Sequence, residues 1–372
     1  MLVFLQIVLI IYALACFWLV FLRAIPQKYD YTSVKTSITV VIPVRNEAKN
    51  IELLLQDLVQ QTYPKAQFEV IVVDDCSDDN TVALVKSFQN KNSLNLYLIQ
   101  LTEKQSTSPK KRAIEEAIKI SNGSLIVTTD GDCRVGPNWL KSIAQKQHDT
   151  NAKLLSGPVR FKTTNHWFSV FQAIEFSSLI GTGACLIKAG YPTMCNGANL
   201  AYLKSVFEEV YGYEGINSIA SGDDELLMAK IVNIYPDKIV FIENEEAIVT
   251  TLPQPNLFSF YEQRIRWASK WNVNKRASTM IVAIFVFVAN LSFIITAILF
   301  VFNEINISQL LFLIILKLFP EFLFLRAINR FLNQKTLIKF IPLIQLIYPI
   351  YVVIFGILAQ KKGYTWKNRN LN

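Results

Sequence analysis

Short apolar runs separated by helical stretches constrain this chain more than any other feature. Ile38-Thr39-Val40-Val41-Ile42-Pro43-Val44 is β-branched and continuous, the pattern of a strand buried on both faces. Runs at Glu69 to Val73, Leu94 to Leu101 and Ser124 to Val127 repeat it. Between the first two, Asn46 suits a helix cap with Glu47 in the first turn. Ile51, Leu54, Leu55 and Leu58 supply the apolar face, and Pro64 follows the end. The next helix carries Val82, Leu84, Val85 and Phe88. Another opens at Ser108-Pro109-Lys110-Lys111 and runs through Ile114, Ala117 and Ile118. Such spacing predicts an α/β fold, a mostly parallel sheet with helices on both faces. No Gly-x-Gly-x-x-Gly follows the first strand, which disfavours a dinucleotide fold.

Both ends of the chain are of another kind. Leu2 to Leu22 is apolar apart from Gln6, and at about 1.5 Å per residue it can cross a ~30 Å hydrocarbon core. It lacks the charged start and short apolar core of a signal peptide, so it reads as a retained anchor. Met280 to Phe302, Leu310 to Leu332 and Ile341 to Leu358 read as further spans. The second is interrupted by Lys317, Pro320 and Glu321, the third by Pro349, and the short loop Asn303 to Asn306 makes a hairpin of the first two. The 52% hydrophobic content fits one soluble domain plus spans. Within a net charge of +8, basic residues crowd beside apolar segments: Arg23, Lys28, Lys270, Lys275, Arg276, Arg326, Arg330 and Lys335. The positive-inside rule and anionic headgroups explain that placement better than nucleic acid does. The 5 cysteines and 2 histidines lack paired spacing, which argues against a zinc site or a disulfide framework.

Beyond Trp139 the alternation loosens. Leu154 to Val159 looks like a strand, Trp167 to Lys188 a helix rich in aromatic and small residues, and Met194 to Asn199 a turn. Ser221-Gly222-Asp223-Asp224-Glu225 opens a helix through Leu226, Leu227 and Ile231, followed by strands near Ile239 to Ile242 and Ala247 to Thr251. Pro253 and Pro255 precede a basic, aromatic helix, Phe258 to Trp271, of the kind that lies at a membrane interface.

Carboxylates gather where these elements meet. Asp130-Gly131-Asp132 stands at the carboxyl end of a strand, facing the crevice where open α/β sheets bind ligands. Hard oxygen ligands of this kind suit Mg²⁺ or Mn²⁺, although an Asp-x-Asp is also a turn motif. Together with Asp74-Asp75, Asp223-Asp224 and Gln263-Arg264-Ile265-Arg266-Trp267, and in this order, the clusters resemble the inverting, family-2 glycosyltransferases with a GT-A fold. The last matches the Gln-x-x-Arg-Trp signature of membrane-embedded members, which include cellulose, chitin and hyaluronan synthases. The resemblance covers roughly Ile38 to Trp271.

The resemblance implies roles. Asp130 and Asp132 would hold the metal on a donor diphosphate, with Asp130 also near the ribose. Asp74 and Asp75 would contact the nucleotide. Lys110 and Lys111, at a helix start, suit the diphosphate. Asp224 would be the general base, with Asp223 the less favoured candidate. Gln263, Arg266 and Trp267 would shape the acceptor end and hold the diphosphate. Ser156-Gly157-Pro158 and Asn196-Gly197 resemble loops at the substrate crevice. The partition that follows is an anchor over 1–24, a GT-A domain over 36–253, an interface helix over 254–275 and about three spans over 278–360. The function that follows is transfer from a UDP-sugar to a lipid-linked or growing polysaccharide acceptor, in the inner membrane with the catalytic domain facing the cytoplasm. Gln-x-x-Arg-Trp favours a polymerase, whereas the few, partly broken spans favour a smaller channel or single-sugar addition. The alternative is a catalytically silent nucleotide-sugar-binding subunit of a polysaccharide assembly complex.

Other residues have plainer readings. Asp78 and Asp79 suit helix capping, and Asp223 could serve as an N-cap. Arg264 is expected to face lipid headgroups. Cys76 and Cys133 read as small buried hydrophobes, and His148 and His166 as polar residues without a catalytic partner. Lys317 and Glu321 lie four apart, able to pair on one helix face or to line an acceptor path. Topology holds one conflict. Four spans put both termini outside, yet Lys361, Lys362, Lys367 and Arg369 prefer the cytosol. Either the segment at Pro349 re-enters, or Met280 onward includes a non-spanning helix.

Overall fold

The computed structural model describes the chain except residues 24, 28–30, 32–33, 103–106, 165, 270–276, 359–363, 367–368 and 372. Lys28, Lys270, Trp271, Lys275, Arg276, Lys361, Lys362 and Lys367 therefore lie outside the described residues, as does the end of the expected interface helix. The helices in chain order are α1 (Leu2–Leu22), α2 (Ile51–Val59), α3 (Thr81–Lys91), α4 (Pro109–Ile120), α5 (Trp139–Thr150), α6 (Trp167–Lys188), α7 (Lys204–Glu209), α8 (Glu225–Ile234), α9 (Leu257–Ser269), α10 (Ala277–Val301), α11 (Ile307–Phe331) and α12 (Ile341–Leu358). The strands are β1 (Ile38–Val44), β2 (Phe68–Asp74), β3 (Leu96–Gln100), β4 (Leu125–Thr128), β5 (Leu154–Ser156), β6 (Val159–Phe161), β7 (Leu200–Leu203), β8 (Ile239–Phe241) and β9 (Val249–Thr251), with a terminal hairpin β10 (Tyr364–Trp366) and β11 (Arg369–Leu371). Two compact units result. One comprises Met1–Ile25, Thr163–Cys185 and Pro253–Gly363, the other Pro26–Lys162, Leu186–Leu252 and Tyr364–Asn372.

The second unit is the α/β body. Its seven-stranded sheet has the order β3-β2-β1-β4-β7-β5-β8. β1, β2, β3 and β4 are parallel, and β1, β2 and β4 carry the apolar runs typical of strands buried on both faces. Val40, Val41, Ile42, Val70, Ile71, Val72 and Ile126 are wholly buried. β7 enters antiparallel between β4 and β5. The stretch read as a turn ends there: Gly197–Asn199 is a 3-10 turn that delivers the chain straight into β7. The single strand expected over Leu154 to Val159 is two, because Gly157-Pro158 breaks it. β5 stays in the large sheet and β6 pairs with β9. Asn46 does not cap α2, which begins only at Ile51. At φ 52° it instead accepts the Asp78 backbone N–H at 2.8 Å, tying the loops after β1 and β2 together.

The first unit is helical. α1 packs on α10 and α11, and α12 packs on α9, α10 and α11. The expected hairpin between α10 and α11 is present. Asn306 and Gln309 form a reciprocal capping box that starts α11, each accepting the other's backbone N–H at 2.9 Å. Among the described residues, four helical stretches are long and apolar enough to cross a membrane: Leu2–Leu22, Trp167–Lys188, Thr279–Val301 and Lys335–Leu358. α6 thus joins that set although its side chains are mostly buried within the protein. α11, expected as a span, is not among them; along its length it carries Lys317, Glu321, Arg326 and Arg330. Lys317 and Glu321 pair at 2.7 Å in the interior of this unit. Gln345 also donates to Glu321 at 3.0 Å, as does the Tyr12 hydroxyl.

Candidate functional site

In the α/β body the strand order reverses between β1 and β4, and ligand crevices form outside the carboxyl ends of strands at such a point. Val44 of β1 is in register with Asp74 of β2, and Val41 with Thr128 of β4. The carboxyl ends of these strands therefore share one edge, and each is followed by a candidate carboxylate. Asp74 closes β2, buried, with one oxygen accepting the Ser77 N–H at 3.1 Å and the other without a hydrogen-bond partner among the described residues. Asp75, also buried, donates its backbone N–H to the Val44 carbonyl at 2.9 Å, and Arg45 clamps the Asp75 and Cys76 carbonyls.

Asp130 and Asp132 follow β4. Gly131 between them lies so close to β1 that a Cβ there would stand 2.9 Å from Val44 Cγ1 and 3.0 Å from Glu47 Cγ. This is the close backbone approach that only glycine permits. Thr251 of β9 donates to Asp132 at 3.2 Å. Beyond Cys133, Arg134 is held in a two-point grip by Asp57, at 2.6 and 2.7 Å, and Asp57 also accepts the Val135 N–H at 3.1 Å. Asp57 went unnoticed in the sequence, although an acidic residue amid the apolar positions of α2 was the available signal.

Lys110 lies between the two acidic groups. Its ammonium is 2.8 Å from Asp130 and 3.1 Å from Asp223. Burial alone would lower its pKa, but the charges of Asp130 and Asp223 more than reverse this and hold it above the ordinary lysine value. Asp224 is the residue that caps α8, not Asp223. One Asp224 oxygen accepts the Glu225 N–H at 2.7 Å and the other accepts the Gly197 N–H at 3.0 Å. Gly197 is confined by the same cluster: a Cβ there would meet Asp223 at 2.8 Å and the Lys110 ammonium at 3.1 Å. Thr128 of β4 fixes the Gly197 carbonyl from below at 2.8 Å. The structure thus brings Lys110, Asp130, Asp223, Asp224 and Gly197 together.

Lys111 does not join them. Its ammonium donates to the carbonyls of Ile216 and Ile219, at 2.7 and 2.8 Å, so it anchors the loop before α8. Asp79 does cap, accepting the Thr81 N–H at 3.0 Å, while Asp78 pairs with Arg45 at 3.3 Å.

Oxygen atoms suited to a divalent ion occur at Asp130 and Asp132, which form with Cys133 a group whose ligand atoms lie within 4.8 Å of one another. Burial pushes the Cys133 thiol well above its ordinary value, and the neighbouring charges of Asp132 and Asp130 push it further. The carboxylate oxygens of Asp130 and Asp132 are hard donors of the kind that suit Mg²⁺ or Mn²⁺.

In the helical unit, α9 carries Gln263, Arg264, Arg266 and Trp267. Arg264 is not turned to headgroups: it is only 4% exposed and ion-paired with the equally buried Glu175 of α6. Tyr351 of α12 links the two, accepting from Arg264 and donating to Glu175 at 3.0 Å each. Arg264 also donates to Gln263 at 2.5 Å, and its guanidinium lies 4.3 Å from the Phe260 ring centre and 4.2 Å from that of Trp267. It orders the side chains on either side of it in the motif.

A mostly parallel sheet with a reversal point and acidic loops on its carboxyl edge is the GT-A architecture. Accordingly, the mannosyltransferase PcManGT of Pyrobaculum calidifontis, solved with GDP-Man and Mn²⁺, shares this fold. The TM-score is 0.57 at 18% identity, covering 92% of this chain and 98% of that one. Residues 39–211 match the family model Glycosyl transferase family 2. It is 34% identical over 134 residues to the glycosyltransferase AglE of Haloferax volcanii, covering 36% of this chain and 43% of AglE. It is 25% identical over 238 residues to the poly-β-1,6-N-acetyl-D-glucosamine synthase of Staphylococcus aureus, covering 62% of this chain and 53% of that enzyme. The chain thus spans about half the length of these relatives.

Proposed function

We propose that the protein is a membrane-bound, inverting glycosyltransferase that moves a sugar from a UDP-sugar to a lipid-linked or growing polysaccharide acceptor. The observation that carries the reading is the single cluster in which Lys110 spans Asp130 and Asp223 beside Asp224. Inversion needs leaving-group stabilisation and a base in one place, and this cluster has residues for both. The apolar helices support membrane attachment. The catalytic domain would then face the cytoplasm, where nucleotide sugars are made.

Asp130 and Asp132 would hold Mg²⁺ or Mn²⁺, which when bound neutralises charge on the departing diphosphate. Asp74 and Asp75, at the end of β2, would bind the nucleoside. Asp224, oriented by the N–H groups of Gly197 and Glu225, takes the proton of the acceptor hydroxyl. The acceptor oxygen forms its bond to the anomeric carbon as the bond to the diphosphate breaks on the opposite face, so configuration inverts. Lys110 offers its ammonium to the diphosphate, and Lys111 keeps the loop before α8 in place. Gln263, Arg266 and Trp267 would take the acceptor-end role that their motif implies, with Arg264, paired to Glu175, ordering Gln263 and Trp267.

The test is a donor screen. Full-length protein in detergent with Mn²⁺ is incubated with a panel of UDP-sugars and with GDP-Man, and free nucleotide is measured. EDTA-sensitive UDP release from one UDP-sugar is expected. Release from GDP-Man alone would refute the UDP assignment, and consumption of none would refute the enzyme.

A further inference from the structure

We propose that Lys110 is a resident cation that holds Asp130 and Asp223 together until a divalent ion and a nucleotide diphosphate take over its partners. The inference rests on the function proposed above and adds a linkage between metal loading and the acidic loop at α8.

The first turn of α4 clamps the segment leading to Asp224. The Ser108 hydroxyl lies 2.5 and 2.6 Å from the carbonyls of Asn217 and Ile219, with one proton to share between them, and Lys111 donates to those of Ile216 and Ile219. These contacts involve backbone carbonyls and neither of the expected metal ligands. Lys110 differs, because one of its two carboxylate partners is the expected metal ligand Asp130 and the other is Asp223. Its position is not loose, since it packs against Gly197, where even a Cβ would come within 3.1 Å of the ammonium.

An ammonium and a divalent cation repel one another strongly on one carboxylate. A metal arriving at Asp130 must therefore displace Lys110 or bind against its charge, and displacement also removes the partner of Asp223. A diphosphate changes the balance by offering the ammonium new oxygens. Metal alone should bind weakly, metal and nucleotide should bind cooperatively, and the acidic loop should be freed of its tether only when both are present.

The experiment measures Mn²⁺ binding, by electron paramagnetic resonance of free Mn²⁺, to the full chain in detergent with and without UDP. Wild type is compared with Lys110→Met, Lys110→Gln and Lys110→Arg. Without UDP, the neutral variants are expected to bind Mn²⁺ about tenfold more tightly than wild type, an ordinary coupling between sites, with Lys110→Arg close to wild type. With UDP, the advantage is expected to vanish or reverse, since the diphosphate has lost its ammonium. Equal or weaker binding of Mn²⁺ alone by both neutral variants, with wild type binding Mn²⁺ and UDP normally, would overturn this inference and leave the proposed function standing. Failure of wild type to bind Mn²⁺ even with UDP would remove both. The neutral variants serve as checks on one another should either misfold.

Discussion

Lys317 and Glu321 offer a quantitative test of how the helical unit holds together. Lys317 is wholly buried and Glu321 is its ion-pair partner at 2.7 Å. Breaking such a pair from one side costs about 3–5 kcal/mol, whereas replacing both partners with apolar groups is often neutral. The two ends are not equivalent. Lys317→Met leaves Glu321 with hydrogen bonds from Tyr12 and Gln345, so the loss should fall near the lower figure, about 3 kcal/mol. Among the described residues, Glu321→Leu leaves the ammonium to the faces of Tyr12 and Phe293, whose ring centres are 5.5 and 5.2 Å away. It also strips Tyr12 and Gln345 of an acceptor, so about 5 kcal/mol is expected. The double variant should lose well under the sum of about 8 kcal/mol, nearer 3, because no unpaired charge remains. Equilibrium unfolding in mixed micelles titrated with sodium dodecyl sulfate reads all of these as a double-mutant cycle. Additive losses, or a Lys317→Met loss exceeding that of Glu321→Leu, would refute the reasoning.

Further expectations concern both units. Glu69 is buried, and although burial raises its pKa, bonds from Thr39 and Asn122 outweigh that and lower it. Its stabilisation is present above the unfolded value of about 4.3 and lost as pH falls through the lower folded value. Unfolding midpoints of wild type and Glu69→Gln should therefore differ at pH 6 and converge under acid. Arg264→Met should destabilise by about 3–5 kcal/mol, because Glu175 would be left buried without its cation. An unchanged melting temperature would restore the headgroup assignment. Gly197→Ala should cut nucleotide-sugar turnover while leaving the melting temperature within a few degrees, since the added Cβ meets Asp223 at 2.8 Å and Lys110 at 3.1 Å. Unaltered turnover would count against Gly197 as part of the site.

The α/β body was legible in the sequence because β1, β2 and β4 are buried on both faces and so carry unbroken β-branched runs. The antiparallel β7 was not, since four residues opened by Gly197-Ala198-Asn199 present no periodicity. The carboxylates could be located because they follow strand ends, but their partners could not. That Lys110 reaches Asp130 and Asp223 while adjacent Lys111 turns to backbone carbonyls depends on helix phase and on a loop more than a hundred residues away. Arg264 misled for a related reason. Basic residues beside aromatic ones resemble an interface helix, and only the buried Glu175, distant in sequence, reverses that reading.

The central claim is that Asp132 serves the metal and Asp224 the proton transfer within one inverting site. Its most direct test follows nucleotide release and product anomeric configuration by proton NMR in wild type, Asp132→Asn and Asp224→Asn, with UDP binding measured alongside. Wild type is expected to give inverted product, and Asp224→Asn to turn over at least about a hundredfold more slowly, of the order typical for a lost acid–base group, with UDP binding intact. Asp132→Asn is expected to lose both turnover and Mn²⁺-dependent UDP binding. Full turnover by both variants, or retained configuration in the product, would contradict the claim.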